Sequence, residues 1–311
     1  MSVVPYTDQI WKSEFRDIET LAYTFLRRLK GSEKYHIKLV DLINKGNTNV
    51  ITDNVVNNTN INCISVAPEF WGIYSYNPHY KNRIPVKNFN CFINRTCVFR
   101  QSWFYQFVRQ NLLNRGNVSF NLEYRSASYK QLIDFSSSIE EKRELYDWIF
   151  AKGLDSFKDE HLLMRDKVPY QNFVGDLDQA VVDSKISIVI ETYFDDDERQ
   201  AIAFSEKIFR QLQLPRPFVL FCNPGAITAL RNQGFDVYDD YVDHSYDDLH
   251  DNIQKQMRLI KIVDEFDNIC YTQDMLDDFE KRAEHNRNLL IELKKKLPRK
   301  LNQIGRIVEN T

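Results

Sequence analysis

The sequence lacks a cysteine pair at metal-ligating spacing. Its five cysteines (Cys63, Cys91, Cys97, Cys222 and Cys270) are an odd number with no C-x-x-C among them, which argues against a zinc module and predicts reduced, mostly buried thiols. No run approaches the roughly 18 apolar residues of a membrane helix. The opening MSVVPYTDQIWKSEF has no basic-then-apolar leader pattern, so a cytoplasmic protein is expected. No internal repeat is visible. With 311 residues, 43% of them hydrophobic, and a net charge of -3, the chain can fill one large α/β domain or two ordinary ones. That charge argues against a surface built throughout for nucleic acid.

A local absence is more informative. No Asp or Glu stands between Trp71 and Leu122, in a chain with 44 acidic residues, while Lys81, Arg83, Lys87, Arg95, Arg100, Arg109 and Arg115 all fall in that window. Such a stretch predicts a surface that meets an anion; the alternative is a basic face paired with acidic parts of the same chain. Arg95 and Arg100 stand out, because they lie in a loop between an expected strand (Phe89 to Ile93) and an expected helix (about Gln101 to Leu113), where guanidinium groups bind phosphate. Phe70, Trp71, Tyr74, Tyr76, Tyr80, Trp103, Phe104 and Tyr105 interleave the window, as base-stacking aromatics or as core.

The apolar pattern predicts a helix over Ile18 to Leu29, short strands separated by Asn-rich turns over Asn44 to Asn62, and a strand at CISVAPEFWGIYSY running into a Pro-Glu-aromatic loop. Gly116 is expected to end the helix before a strand NVSFNL. Strand Ile186 to Phe194, helix Phe204 to Leu212, strand Phe218 to Cys222, helix Ile227 to Asn232 and a short strand at FDVYDD then alternate, as in a parallel doubly wound sheet. Two long helices follow, Leu249 to Val263 and Asp274 to Leu297.

FSEKIFRQLQLPRPFVLF, Phe204 to Phe221, places Ser-Glu-Lys at a helix start directly after an apolar strand. Glu206 there can accept from a ribose diol and Lys207 can neutralise a phosphate, with Ser205 capping the helix; the structural alternative is a capping box with Lys207 in solvent. This stretch resembles the Ser/Thr-Glu-Lys signature of the α-1,3-fucosyltransferase family. Its surroundings, ETYF…FSEK…PFVLFCNPGAITALRNQGFDVYDDYVDHSYDD, look like the carboxy-terminal half of glycosyltransferase-like proteins of phages and other viruses. FNCFINRTCVFRQSWFYQFVRQNLLNRGNVSFN is similar to the segment that opens the donor half in those proteins; together the matches span roughly Phe89 to Asp251.

The resemblance implies a GT-B-like α/β fold, two Rossmann-like lobes facing a cleft, with long carboxy-terminal helices. The division expected is a small acceptor-side lobe over 1–86, a nucleotide-sugar-binding lobe over 87–270 and a carboxy-terminal helix over 271–311. It further implies transfer of a hexosyl or pentosyl group from a nucleotide-sugar, with Glu206 on the ribose and Lys207, Arg95 and Arg100 on the diphosphate. No cofactor is then needed, and a viral chain would act in the host cytoplasm. The acceptor is a glycan or a modified DNA base. Segments before about Phe89 do not match the cellular enzymes, so the acceptor side is read from the residues themselves: Glu69 in APEFWG, or His79, as the base that takes the acceptor proton.

Two other classes compete. The DDDE run at Asp195 to Glu198 could hold a divalent metal through Asp195 and Asp197. A nuclease is disfavoured, because Glu206 and Lys207 are adjacent and their side chains are expected to diverge. The non-enzymatic reading is a viral accessory protein of degenerate transferase fold that binds nucleic acid or a protein partner.

Overall fold

A computed structural model describes residues 21–22, 49–52, 54–56, 62–65, 78–93, 100, 103, 106–107, 110–120, 170–173, 175–191 and 201–309. Within them the chain is α/β. The main sheet has the strand order β10-β8-β5-β6-β7, built from β5 (Lys87–Ile93), β6 (Gly116–Phe120), β7 (Tyr170–Gln171), β8 (Ser184–Ile190) and β10 (Phe218–Phe221). The first four strands in that order run parallel, and the two-residue β7 is antiparallel. The chain steps outward from β5 through β6 to β7, then returns to the other side of β5 to lay down β8 and β10. This is the Rossmann-like order, and it creates a topological switch point between β5 and β8.

Two strands read as they must when both faces are covered: β8 is buried at every residue except Lys185, and all of β10 is buried. Two polar pairs fix the register. Asn90 Nδ2 donates to Ser187 Oγ at 2.8 Å across β5 and β8, and Asn117 Nδ2 donates to Ser184 Oγ at 3.2 Å. A one-residue slip of β5 against β8 would take the buried Asn90 amide from its acceptor, while Asn117 is also held by Ala180 O at 3.0 Å. Helices α1 (Leu177–Val182), α2 (Glu206–Gln211), α3 (Ala226–Asn232), α4 (Asn252–Asp267) and α5 (Gln273–Glu309) pack around the sheet. Phe279, Ala283 and Leu290 of α5 are buried, so this helix helps build the core of the main sheet. The edge of β10 is blunted by a side chain: Tyr246 Oη accepts from Leu220 N–H at 3.0 Å and also meets His244 Nδ1 at 3.0 Å.

Several sequence-based expectations change. Gly116 does not end a helix; it is the first residue of β6, and a Cβ there would stand 2.5 Å from Cζ of Phe89. Trp103, Gln106 and Phe107 are helical, and the chain is in turns by 110–111, with Asn111 at φ 54°. Gly116→Ala is therefore expected to cost about 1–3 kcal/mol through overpacking, and the loss should shrink when Phe89→Leu is added. Denaturation midpoints of the two single variants and the double variant check this; equal losses in both Phe89 backgrounds would refute the contact as the cause.

FDVYDD is not a strand. Asn286 of α5 takes the place of a partner: its Oδ1 accepts from Asp236 N–H at 2.8 Å and its Nδ2 donates to Asp236 O at 3.0 Å. Tyr238, at φ 65°, then turns the chain away. Leu21–Ala22, inside a stretch expected to be helical, is strand β1, paired with β2 (Asn49–Thr52) in a parallel sheet of order β1-β2-β4, with β4 at Asn62–Ser65. The Asn-rich stretch does carry short strands, including β3 (Asn54–Val56). β3 pairs antiparallel with β9 (Ala201–Ala203), so a strand from the amino-terminal part is laid against the segment that leads into α2.

Candidate functional site

The carboxyl end of β8 carries Glu191, the residue after the last strand position. Its backbone N–H donates to Phe221 O at 3.0 Å, which locks it to β10, and its side chain is 0% exposed. A carboxylate there needs donors, because burying one uncompensated is costly. Ser205 supplies two: its N–H donates to Oε1 at 3.0 Å and its hydroxyl to Oε2 at 2.5 Å. Lys207 Nζ stands 4.0 Å from the same Oε2, donates to Ser205 Oγ at 3.0 Å and lies 3.4 Å from Glu206 Oε1. Arg100 enters from the stretch after β5. It is buried, and its Nη2 donates to Ile190 O at 3.3 Å, one residue before Glu191.

Four residues picked from sequence thus meet at the switch point: Arg100, Ser205, Glu206 and Lys207. Glu191, in ETYF, is the member that sequence reasoning misses; its one local signal is an acidic residue closing an otherwise apolar strand. The expected divergence of Glu206 and Lys207 is not seen, because the long lysine side chain folds back over Ser205 to reach both carboxylates. The capping element of the structural alternative is present as well. Ser205 is the N-cap of α2 and accepts from Lys207 N–H at 3.4 Å, but Lys207 is not in free solvent.

Exposure is graded through the cluster. Glu191 is sealed, Lys207 is 23% exposed and Glu206 43% exposed at the side chain, so an incoming ligand meets Glu206 and Lys207 first. Burial lowers the Lys207 ammonium below the ordinary lysine range; Arg100 adds to that, and Glu191 and Glu206 oppose it. Burial alone would raise Glu206, but Lys207 and Arg100 hold its carboxyl below the usual range, so it is an ionised acceptor at neutral pH. Among the described residues two cations face two carboxylates here.

The other expected residues lie elsewhere. Arg95, Glu69, Asp195 and Asp197 fall outside the described residues. His79 is exposed, and its backbone N–H donates to Asp178 Oδ2 of α1 at 3.1 Å, away from the cluster's hydrogen bonds. Asp178 also receives Arg210 of α2, with Nε at 2.8 Å.

The acid-free window is not one continuous anion surface. Arg83 forms a two-pronged pair with Asp183 at 2.6 and 2.7 Å, and Arg115 pairs with Asp264 and Asp267 of α4. Trp103 is 0% exposed, edge-on to Phe221 at 5.4 Å between centroids, and is core rather than a stacking platform. Tyr80 instead donates its hydroxyl to Glu280 of α5 at 2.8 Å. For Arg83 and Arg115 the acids missing from the window are supplied by distant parts of the chain.

Among the described residues no group of His, Cys, Asp or Glu is arranged to hold a metal ion, and no helix is long and apolar enough to cross a membrane. The strand order and the cluster at the switch point define an α/β protein with a Rossmann-like sheet. Comparison with known proteins gave no match to any family model, curated sequence or solved structure.

Proposed function

We propose that the chain is a glycosyltransferase of GT-B-like architecture whose nucleotide-sugar donor sits at the carboxyl ends of β5 and β8. One observation carries this reading: Arg100, Ser205, Glu206 and Lys207, from segments a hundred residues apart, converge on the switch point around Glu191. Ligands of open α/β sheets bind in that crevice. Glu206, ionised and half-exposed, would accept from the ribose hydroxyls; Lys207 would face the diphosphate, with the charge of the buried Arg100 behind it. The described part of the cluster is balanced in charge, so a diphosphate calls for a further cation, a role that falls to Arg95.

The parallel β1-β2-β4 sheet supports a second α/β lobe, and the β3–β9 ladder lays that lobe against the strand ending two residues before Ser205. The donor would then face an acceptor side across a cleft. In the transfer, the bond from the anomeric carbon to the leaving phosphate oxygen breaks as the acceptor oxygen bonds to that carbon. The leaving diphosphate is stabilised by fixed cations rather than by a metal, and Glu69 is the candidate that takes the acceptor proton, since His79 is held against Asp178 away from the cluster. A glycan acceptor fits better than a DNA strip along the acid-free window, since Arg83 and Arg115 are already paired within the chain.

A thermal-shift panel of UDP-, GDP-, CMP- and dTDP-sugars, with and without EDTA, tests the donor site. At 100 times its dissociation constant a ligand of the native state adds about 2.7 kcal/mol. One nucleotide class is expected to stabilise the protein, to do so in EDTA, and to lose its effect in Glu206→Ala. No shift with any nucleotide-sugar would remove the transferase reading.

A further inference from the structure

Glu191 is the carboxylate of the cluster that solvent does not reach, sealed as Arg100 is, so its part differs from that of the half-exposed Glu206. A carboxylate only accepts, so the proton between Glu191 Oε2 and Ser205 Oγ belongs to the serine. With that proton directed inward, the lone pairs of Oγ face outward, where Lys207 N–H lies at 3.4 Å and Nζ at 3.0 Å. We propose that Glu191 is a positioning residue: it aims the Ser205 hydroxyl so that its lone pairs hold the Lys207 ammonium, and it supplies the fixed negative charge that lets Lys207 stand beside Arg100.

Among the described residues, the groups facing Lys207 come from three places. Glu191 closes β8, Arg100 follows β5, and Ser205 and Glu206 open α2. Glu206 is the partner a ligand would draw away, because it lies on the solvent side and would be occupied by hydroxyl donors. Glu191 cannot be drawn away, since both its oxygens are held by Ser205 and its backbone by Phe221. It is therefore the carboxylate that balances Lys207 with a ligand bound as well as without. Only the nature of the bound anion rests on the donor-site reading above.

The sign of the expected effect follows from the charges. Glu191 raises the lysine against burial and against Arg100, so removing its charge lets the ammonium lose its proton at lower pH. The Lys207 Cε resonance, assigned by its disappearance in Lys207→Arg, reports this in the protein without nucleotide. In Glu191→Gln the titration midpoint is expected to fall by about one pH unit or more, the size of shift an opposite charge within 4–6 Å produces. Ser205→Ala, which keeps the carboxylate and removes the hydroxyl acceptor, should also lower the midpoint, by less, and keeps the test open if Glu191→Gln fails to fold. Inorganic pyrophosphate affinity should lose its alkaline limb at correspondingly lower pH in Glu191→Gln and become flat over that range when Lys207→Arg is added. A Lys207 midpoint unchanged in the folded variants would overturn the proposal. Because the resonance is read without nucleotide, a protein that binds no nucleotide-sugar but shows the shifted midpoint would refute the donor site and leave the positioning role standing.

Discussion

Arg216→Met is expected to cost at least about 3 kcal/mol of stability, and in a marginal background to leave the chain unfolded. The guanidinium is 0% exposed and donates to five acceptors: Ser184 O, Asn82 Oδ1, Pro215 O, Arg83 O and Val182 O. It therefore joins the strap before β5, the end of α1, the start of β8 and the turn into β10. Methionine fills most of the volume and satisfies none of those oxygens. Each buried acceptor left unpaired costs about 1–3 kcal/mol, and relaxation recovers only part. The cost of burying the cation, which lowers its pKa to about 10, is recovered when it is removed and sets the upper limit of the loss. Arg216→Lys should fall between, since an ammonium has three donors and no planar fork. Urea unfolding at constant m-value measures both variants. A loss below about 1 kcal/mol for methionine would mean that the five oxygens find other partners.

Lys207→Met carries the largest expected effect on function. A hydrogen bond from an ammonium to phosphate is worth about 1.5–3 kcal/mol, so affinity for the proposed donor is expected to fall by about 10- to 150-fold. Turnover should fall at least as far if the same cation stabilises the leaving diphosphate. Lys207→Arg should retain part of the affinity, because the charge is kept while the compact contact with Ser205 Oγ is not. Calorimetric titration with the stabilising nucleotide gives the comparison. Unchanged affinity in a folded Lys207→Met protein would move the donor away from this cluster.

The strand–helix alternation was legible because β8 and β10 are buried nearly throughout and so appear as unbroken apolar runs bounded by turn residues. Boundaries moved for identifiable reasons. FDVYDD has the alternation of a strand, yet Asn286, 50 residues on, takes both backbone groups of Asp236 and no ladder forms. Gly116 looked like a helix terminus because glycine is frequent there, whereas its actual constraint is the ring of Phe89 on the adjacent strand.

The candidate site shows the same division. Local sequence was sufficient to mark Ser205, Glu206 and Lys207, since polar groups opening a helix after an apolar strand are adjacent in the chain and stay adjacent in space. Arg100 was marked by the missing acids around it, although the same absence overstated Arg83 and Arg115, which find their carboxylates in α1's C-cap and in α4. Glu191 was not distinguishable from any acidic residue at a strand end. What the sequence by itself determined is the class of fold and the charged groups at one helix start, because hydrophobic period and local spacing depend on near neighbours. Tertiary structure decided which cations are neutralised, that Glu191 is sealed behind Ser205, and that the charge of Arg100 acts on Lys207. Those outcomes depend on the parallel pairing of β5 with β8, a contact between segments about a hundred residues apart that no local pattern encodes.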